Sequence, residues 1–140
     1  MEASDSLRAR RVDEEVRLLQ GWFERVEYDA AGRNWVLVYD VPLPAGFNRP
    51  STHALLLIPA EYPEVPPDGL FVDKGLNLPE HYVQQQSHNN PFGNKSWAWL
   101  CAHFDGNSWR PAADVGSGDN LVTLMGLYTT IFHEIRKQGK

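Results

Sequence analysis

Cysteine is nearly absent: Cys101 is the one thiol in the chain, so no internal disulfide can form and a disulfide-stapled scaffold is excluded. Long apolar runs are missing as well. No stretch reaches the roughly 18 apolar residues that a spanning helix needs, and no apolar signal segment follows the arginines of the opening MEASDSLRARR. The expectation is an unexported, cytoplasmic protein without a membrane partner. Positive charge is short: 13 Lys and Arg against 18 Asp and Glu give a formal net charge of -5, which argues against nucleic acid as a partner. The phosphate-loop glycine-lysine motif, the dinucleotide glycine fingerprint and the His-Glu-x-x-His pair do not occur, so ATP, nicotinamide and metalloprotease chemistry have no local support. Repeats, low-complexity tracts and interdomain linkers are absent too.

What remains is 140 residues, 42% of them hydrophobic, enough for one domain over residues 1–140 with a core of ordinary composition. Residues 2–11 are polar and read as a fraying end. Val12, Val16 and Leu19 recur at helical spacing, with Asp13, Glu14 and Glu15 early and Arg17 late, as the helix dipole favours, so a short first helix should end at Gly21. Trp22 to Tyr28 and Trp35 to Val41 read as two antiparallel strands around the turn Asp29 to Gly32, His53 to Ile58 as a third and Leu70 to Val72 as a fourth. Between the last two, Pro59, Pro63, Pro66 and Pro67 demand a stiff loop, because proline fixes φ and removes a donor. Lys74 to Lys95 is polar and irregular, a length of connection that is often functional. Leu121, Leu124, Met125, Tyr128, Ile131, Phe132 and Ile135 then form the stripe of an amphipathic helix, with Asp119 or Ser117 as its cap. The fold class is α+β: an N-terminal helix, a four-stranded antiparallel meander, an active-site segment and a C-terminal helix.

Cys101 is the leading chemical candidate, since a thiol is both a nucleophile and a good thioester leaving group. Trp97 and Trp99 just before it point to a constructed local environment. A small buried hydrophobe is the competing reading of a free cysteine. His103, two residues on, would share a strand face with Cys101 and offers a base or a hydrogen-bond donor. A Cys-His hydrolase would also need an oxyanion hole, which the sequence does not certify. Zinc could be assembled from His81, His88, Cys101 and His103, but the spacing matches no paired-ligand signature.

The segments around Cys101 resemble the ubiquitin-conjugating enzymes. Three elements align in order: the loop Tyr62-Pro63-Glu64-Val65-Pro66-Pro67, the Cys101 segment, and Trp109-Arg110-Pro111-Ala112, whose tryptophan follows the cysteine by eight residues as in the family. The resemblance covers roughly Val12 to Lys137 and is to the compact bacterial members, with a reduced C-terminal helical region. It implies that an adenylating activating enzyme, which uses the ATP, passes the C-terminal glycine of a ubiquitin-like protein to Cys101 as a thioester; no cofactor is bound by the chain itself. A protein lysine would then take the acyl group. It implies that Tyr62, Pro63, Pro66, Pro67, Trp109 and Pro111 shape the site, and that the first helix, with Arg8, Arg10, Arg11 and Arg17, meets the activating enzyme. Bacterial relatives are often encoded beside an activating enzyme and an isopeptidase, some in antiviral defence. The family's upstream His-Pro-Asn element is out of register, with Gly93 at the asparagine position and Pro91 at that of the histidine. Asn89, Asn90, Asn94 and His103 are therefore the candidates for supporting the oxyanion, and a catalytically inactive adaptor that binds a ubiquitin-like protein is the alternative.

Overall fold

The computed structural model describes residues 3–67, 69–73, 75–76, 83–84, 97–101 and 109–138, with the backbone alone for 3–6, 83–84, 97, 100–101 and 136–138. Among the described residues, helix α1 spans Ala3–Gln20 and six strands follow: β1 Val26–Tyr28, β2 Trp35–Pro42, β3 Ser51–Leu57, β4 Gly69–Asp73, β5 Val83–Gln84 and β6 Trp97–Cys101. A 3-10 turn at Val115–Ser117 leads into helix α2, Leu121–Gln138. The strands form one antiparallel sheet in the order β1-β2-β3-β4-β6-β5. The expected four-strand meander is thus present, and the segment ending in Cys101 continues it as a further strand beside β4.

Strand alternation divides the sheet into two faces. Val36 and Val38 of β2, Ala54 and Leu56 of β3, and Leu70 and Val72 of β4 join Val12, Val16 and Leu19 of α1 and the apolar stripe of α2 in one cluster. Leu37, Leu55, Phe71 and Trp99 pack together on the opposite face, as the period of two requires. The run in β3 is apolar on both sides because both sides are covered. A bulge between Val38 and Val41 leaves Asp40 exposed at φ 57° and returns Val41 to the helix-side cluster, which a regular strand would have turned away. Tryptophan serves varied ends: Trp99 and Trp109 are buried, Trp35 is half-buried, and Trp22 lies exposed beyond α1.

Several local expectations change. The first strand is Val26–Tyr28 rather than Trp22 to Tyr28, and Val83–Gln84, within the stretch read as irregular, is a strand. The first helix does not begin near Val12 but at Ala3, and Arg8 and Arg11, in the stretch read as a fraying end, are docked. Arg8 donates to the carbonyls of Ile58, Pro59 and Arg33 at 3.0–3.1 Å, and Arg11 donates to those of Ala112 and Asp119. Guanidinium groups here satisfy loop carbonyls that apolar periodicity does not register. The cap of α2 is Asn120, not Asp119 or Ser117. Its Oδ1 accepts from the N–H groups of Val122 and Thr123 at 2.8 and 3.1 Å, while the Asp119 carboxylate is occupied by the Arg110 N–H at 2.7 Å and the Ser117 hydroxyl by Asp114.

Candidate functional site

The proline loop turns sharply after β3, with the N–H of Tyr62 bonded to the Pro59 carbonyl and that of Glu64 to Glu61, and with a cis Tyr62-Pro63 peptide. This turn carries the Tyr62 ring into the core, where it is 2% exposed. The Pro63 carbonyl accepts from the Trp109 indole N–H at 2.6 Å, and the rings of Tyr62 and Trp109 meet at a tilt with centroids 6.1 Å apart. Two sequence motifs 46 residues apart thereby become one structure. Pro67 is buried beside them in the chain and Pro66 is half-buried.

Beneath this junction lies a group the sequence reading passed over. Glu15 is fully buried, and its Oε1 accepts from the Tyr62 hydroxyl at 2.5 Å and from the Leu121 N–H at 2.6 Å. Its Oε2 accepts from Arg11 Nε at 2.6 Å, an i, i+4 pair along α1. The signal was available: Glu15 falls between Val12 and Leu19 at spacings of three and four, on the apolar stripe itself, where an acid has no business unless partners reach it. Burial raises the Glu15 pKa, against the lowering pull of the Tyr62 hydroxyl, the Leu121 N–H and Arg11. Burial and the neighbouring carboxylate push the Tyr62 hydroxyl far above its ordinary value, so it stays a donor at any physiological pH.

Glu15 also completes the start of α2. The first four N–H groups of a helix have no intrahelical backbone partner; here that of Asn120 donates to the Thr123 hydroxyl at 2.9 Å, Leu121 finds Glu15, and Val122 and Thr123 find the Asn120 side chain, while Leu124 makes the first regular helical bond, to the Asn120 carbonyl at 3.0 Å. A carboxylate at this end also complements the helix dipole. The Trp109–Ala112 segment is held to the same place by Arg11, which reaches the Ala112 carbonyl, and by reciprocal bonds between Arg110 and Asp119. Pro111 lies within it. Gly118 is required by space, since a Cβ there would stand 2.6 Å from the Arg110 carbonyl oxygen and 2.7 Å from the Ala112 nitrogen.

The four arginines of α1 divide. Arg8 and Arg11 are committed to the internal carbonyls just described, while Arg10 and Arg17 are exposed. Arg8, Arg10 and Arg11 line an open cavity of about 430 Å³ together with Tyr62, Pro63 and Val115.

Cys101 is the last residue of β6, its backbone opposite Gly69 of β4. The Gly69 carbonyl accepts from the Tyr128 hydroxyl of α2 at 3.2 Å, so the strand position facing Cys101 is tied to the core. His103, Asn89, Asn90 and Asn94 lie outside the described residues, as do His81 and His88 of the zinc arrangement. Among the described residues no helix is long and apolar enough to cross a membrane.

The family model for prokaryotic E2 family E matches residues 13–134, a span that contains the proline loop, Cys101, Trp109 and most of α2. No curated protein and no solved structure matches the chain.

Proposed function

We propose, since the chain belongs to prokaryotic E2 family E, that it accepts the C-terminal glycine of a ubiquitin-like protein as a thioester on Cys101 and passes it to an amine, a protein lysine. The family supports a function of the ubiquitin-like conjugating type and, in general, engagement of a ubiquitin-like protein and an activating enzyme. One observation carries the finer reading: the match spans a lone cysteine followed after eight residues by Trp109, and the Trp109 indole is bonded to the proline loop by a 2.6 Å hydrogen bond to Pro63.

In loading, the Cys101 thiolate attacks the carbonyl carbon of the thioester on the activating enzyme. The tetrahedral oxyanion collapses and expels that enzyme's thiolate, so one thioester replaces another without a redox change. In discharge, the amine nitrogen attacks the same carbon, the C–S bond breaks, the Cys101 thiolate leaves and the amine gives up its proton. ATP is consumed upstream by the activating enzyme. The chain contributes by holding the thioester and the amine together and stabilising the oxyanion. Arg10 and Arg17 supply exposed charge on α1 for an acidic surface of the activating enzyme.

The test is a non-reducing gel. With the cognate activating enzyme, ubiquitin-like protein and ATP, the chain should shift by the mass of its partner, and thiol reductant should reverse the shift by exchange. Cys101→Ala should give no shift and Cys101→Ser at most a thiol-resistant oxyester, because an alcohol is the weaker nucleophile. Binding without any adduct would make the protein an adaptor. Oxyanion support falls to His103, Asn89, Asn90 or Asn94: one of their alanine variants should load normally yet discharge about 10² to 10³ times more slowly. Unchanged discharge in all four would assign that role to backbone N–H groups or to a partner.

A further inference from the structure

A buried carboxylate is an expensive fastener. Exchanging a buried ion pair for well-packed apolar side chains is often neutral or stabilising, so helix docking alone does not account for Glu15. Its placement is more informative. One carboxylate gathers the Tyr62 hydroxyl, the first N–H of α2 and Arg11, and Arg11 extends the set to the carbonyls of Ala112 and Asp119. The residue after Tyr62 supplies the carbonyl that holds the Trp109 indole. Both segments implied to shape the site, Tyr62-Pro63 and Trp109 to Ala112, are therefore fixed to one point on α1.

We infer that Glu15 is a positioning residue for transfer from Cys101, acting through Tyr62 and Arg11 to set where Trp109, the fixed point downstream of Cys101, holds the reacting segment. The inference rests on Cys101 being the thioester carrier. Loading needs only an accessible thiolate presented to the activating enzyme. Discharge needs the thioester carbonyl, the amine and the oxyanion donors aligned together, a geometry in which a displacement of about 1 Å can cost 10²-fold. Loosening the frame should therefore slow discharge far more than loading.

Glu15→Gln keeps the size of the side chain and an oxygen acceptor but removes the charge facing Arg11. Tyr62→Phe keeps the ring and the carboxylate but removes one donor. Asp13→Asn is the control: it breaks an ion pair on the same helix, where Asp13 meets Arg33 at 2.8 Å and Tyr28 rather than the proline loop. Two readouts are needed. The first is the Trp109 indole N–H resonance, assigned with Trp109→Phe, which requires no activating enzyme. The second is single-turnover discharge of preloaded protein at saturating amine. Glu15→Gln and Tyr62→Phe should both move the resonance and slow discharge roughly 10- to 100-fold, with loading and the half-saturating amine concentration near wild type. Asp13→Asn should leave all of these unchanged. Wild-type discharge from a folded Tyr62→Phe chain overturns the inference, as does an equal slowing in Asp13→Asn, which would reduce the effect to lost stability. Should the wild-type chain never load, the conjugation reading fails instead, and an unmoved indole resonance in Tyr62→Phe would then also dismiss the frame.

Discussion

The helix side of this protein is built in two ways that sit next to each other. Along α2 the sheet is met by Leu124, Tyr128, Phe132 and Ile135, each 0–2% exposed, in a cluster dominated by side chains that need only volume and periodicity. At the start of α2 the joint is polar: Glu15, Tyr62, Arg11 and Asn120 satisfy named donors and acceptors drawn from segments up to 108 residues apart. Apolar packing is non-directional and tolerates repacking, whereas a buried hydrogen-bonded node fixes geometry and is intolerant of losing one member. The first kind of construction supplies stability. The second determines where the proline loop and Trp109 stand relative to one another.

The largest effect that sharpens this division is expected from Phe132→Ala. Phe132 is fully buried and meets Phe47 edge-on at 6.1 Å, so its truncation should lower unfolding stability by about 3–5 kcal/mol, read from denaturant midpoints. At temperatures where this variant is fully folded, the Trp109 indole resonance should be unmoved. A resonance displaced as far as in Tyr62→Phe would dissolve the distinction between the two regions.

A smaller loss, about 1 kcal/mol, is expected for Asn120→Ala, which removes the side-chain cap on Val122 and Thr123. Asp119→Ala acts elsewhere, by freeing the Arg110 N–H. Amide exchange separates them: Asn120→Ala should deprotect the amides of Val122 and Thr123, and Asp119→Ala that of Arg110. Deprotection of Val122 and Thr123 by the Asp119 variant would contradict the assignment of the cap.

Two acids two residues apart on α1 should give the subtlest contrast, in opposite directions with pH. The Arg33 hydrogen bond lowers the Asp13 pKa, aided by the Tyr28 hydroxyl and opposed by burial. Asp13 therefore contributes stability that is present above the unfolded value near 3.9 and is lost as pH falls through the lower folded value. Burial raises the Glu15 pKa. Between the unfolded value near 4.3 and the higher folded one, the native chain binds more protons than the unfolded chain, so stability falls as pH rises through that interval. Asp13→Asn should flatten the acid limb of the stability curve and Glu15→Gln the limb above it, as measured by urea midpoints against pH. The reverse pattern would show that the two carboxylates have been given each other's environments.

This contrast also explains what could be read from the sequence. The strands around the turn at Asp29, the doubly covered β3 and the stripe of α2 follow from periodicities of two and of 3.6, which are local properties. Asn120 was missed because Asp119 and Ser117 are equally good caps by type, and only their commitments to Arg110 and Asp114 exclude them. The docking of Arg8 and Arg11 and the partners that give Glu15 its role were illegible for a different reason: apart from the i, i+4 pair between Arg11 and Glu15, these partners lie between 24 and 108 residues away and are mostly backbone groups, which leave no mark in the sequence. Of the site, the proline loop and Trp109 were legible as motifs, and their hydrogen bond was not.

Whether Cys101 carries the acyl group is read most directly by mass spectrometry of the non-reduced adduct formed with activating enzyme, ubiquitin-like protein and ATP. The spectrum should show one added partner, lost on treatment with thiol, with proteolytic fragments joining the partner's C-terminal glycine to the peptide that contains Cys101. An adduct mapped to any other residue, or the same thiol-sensitive adduct on Cys101→Ala, would rule Cys101 out as the carrier.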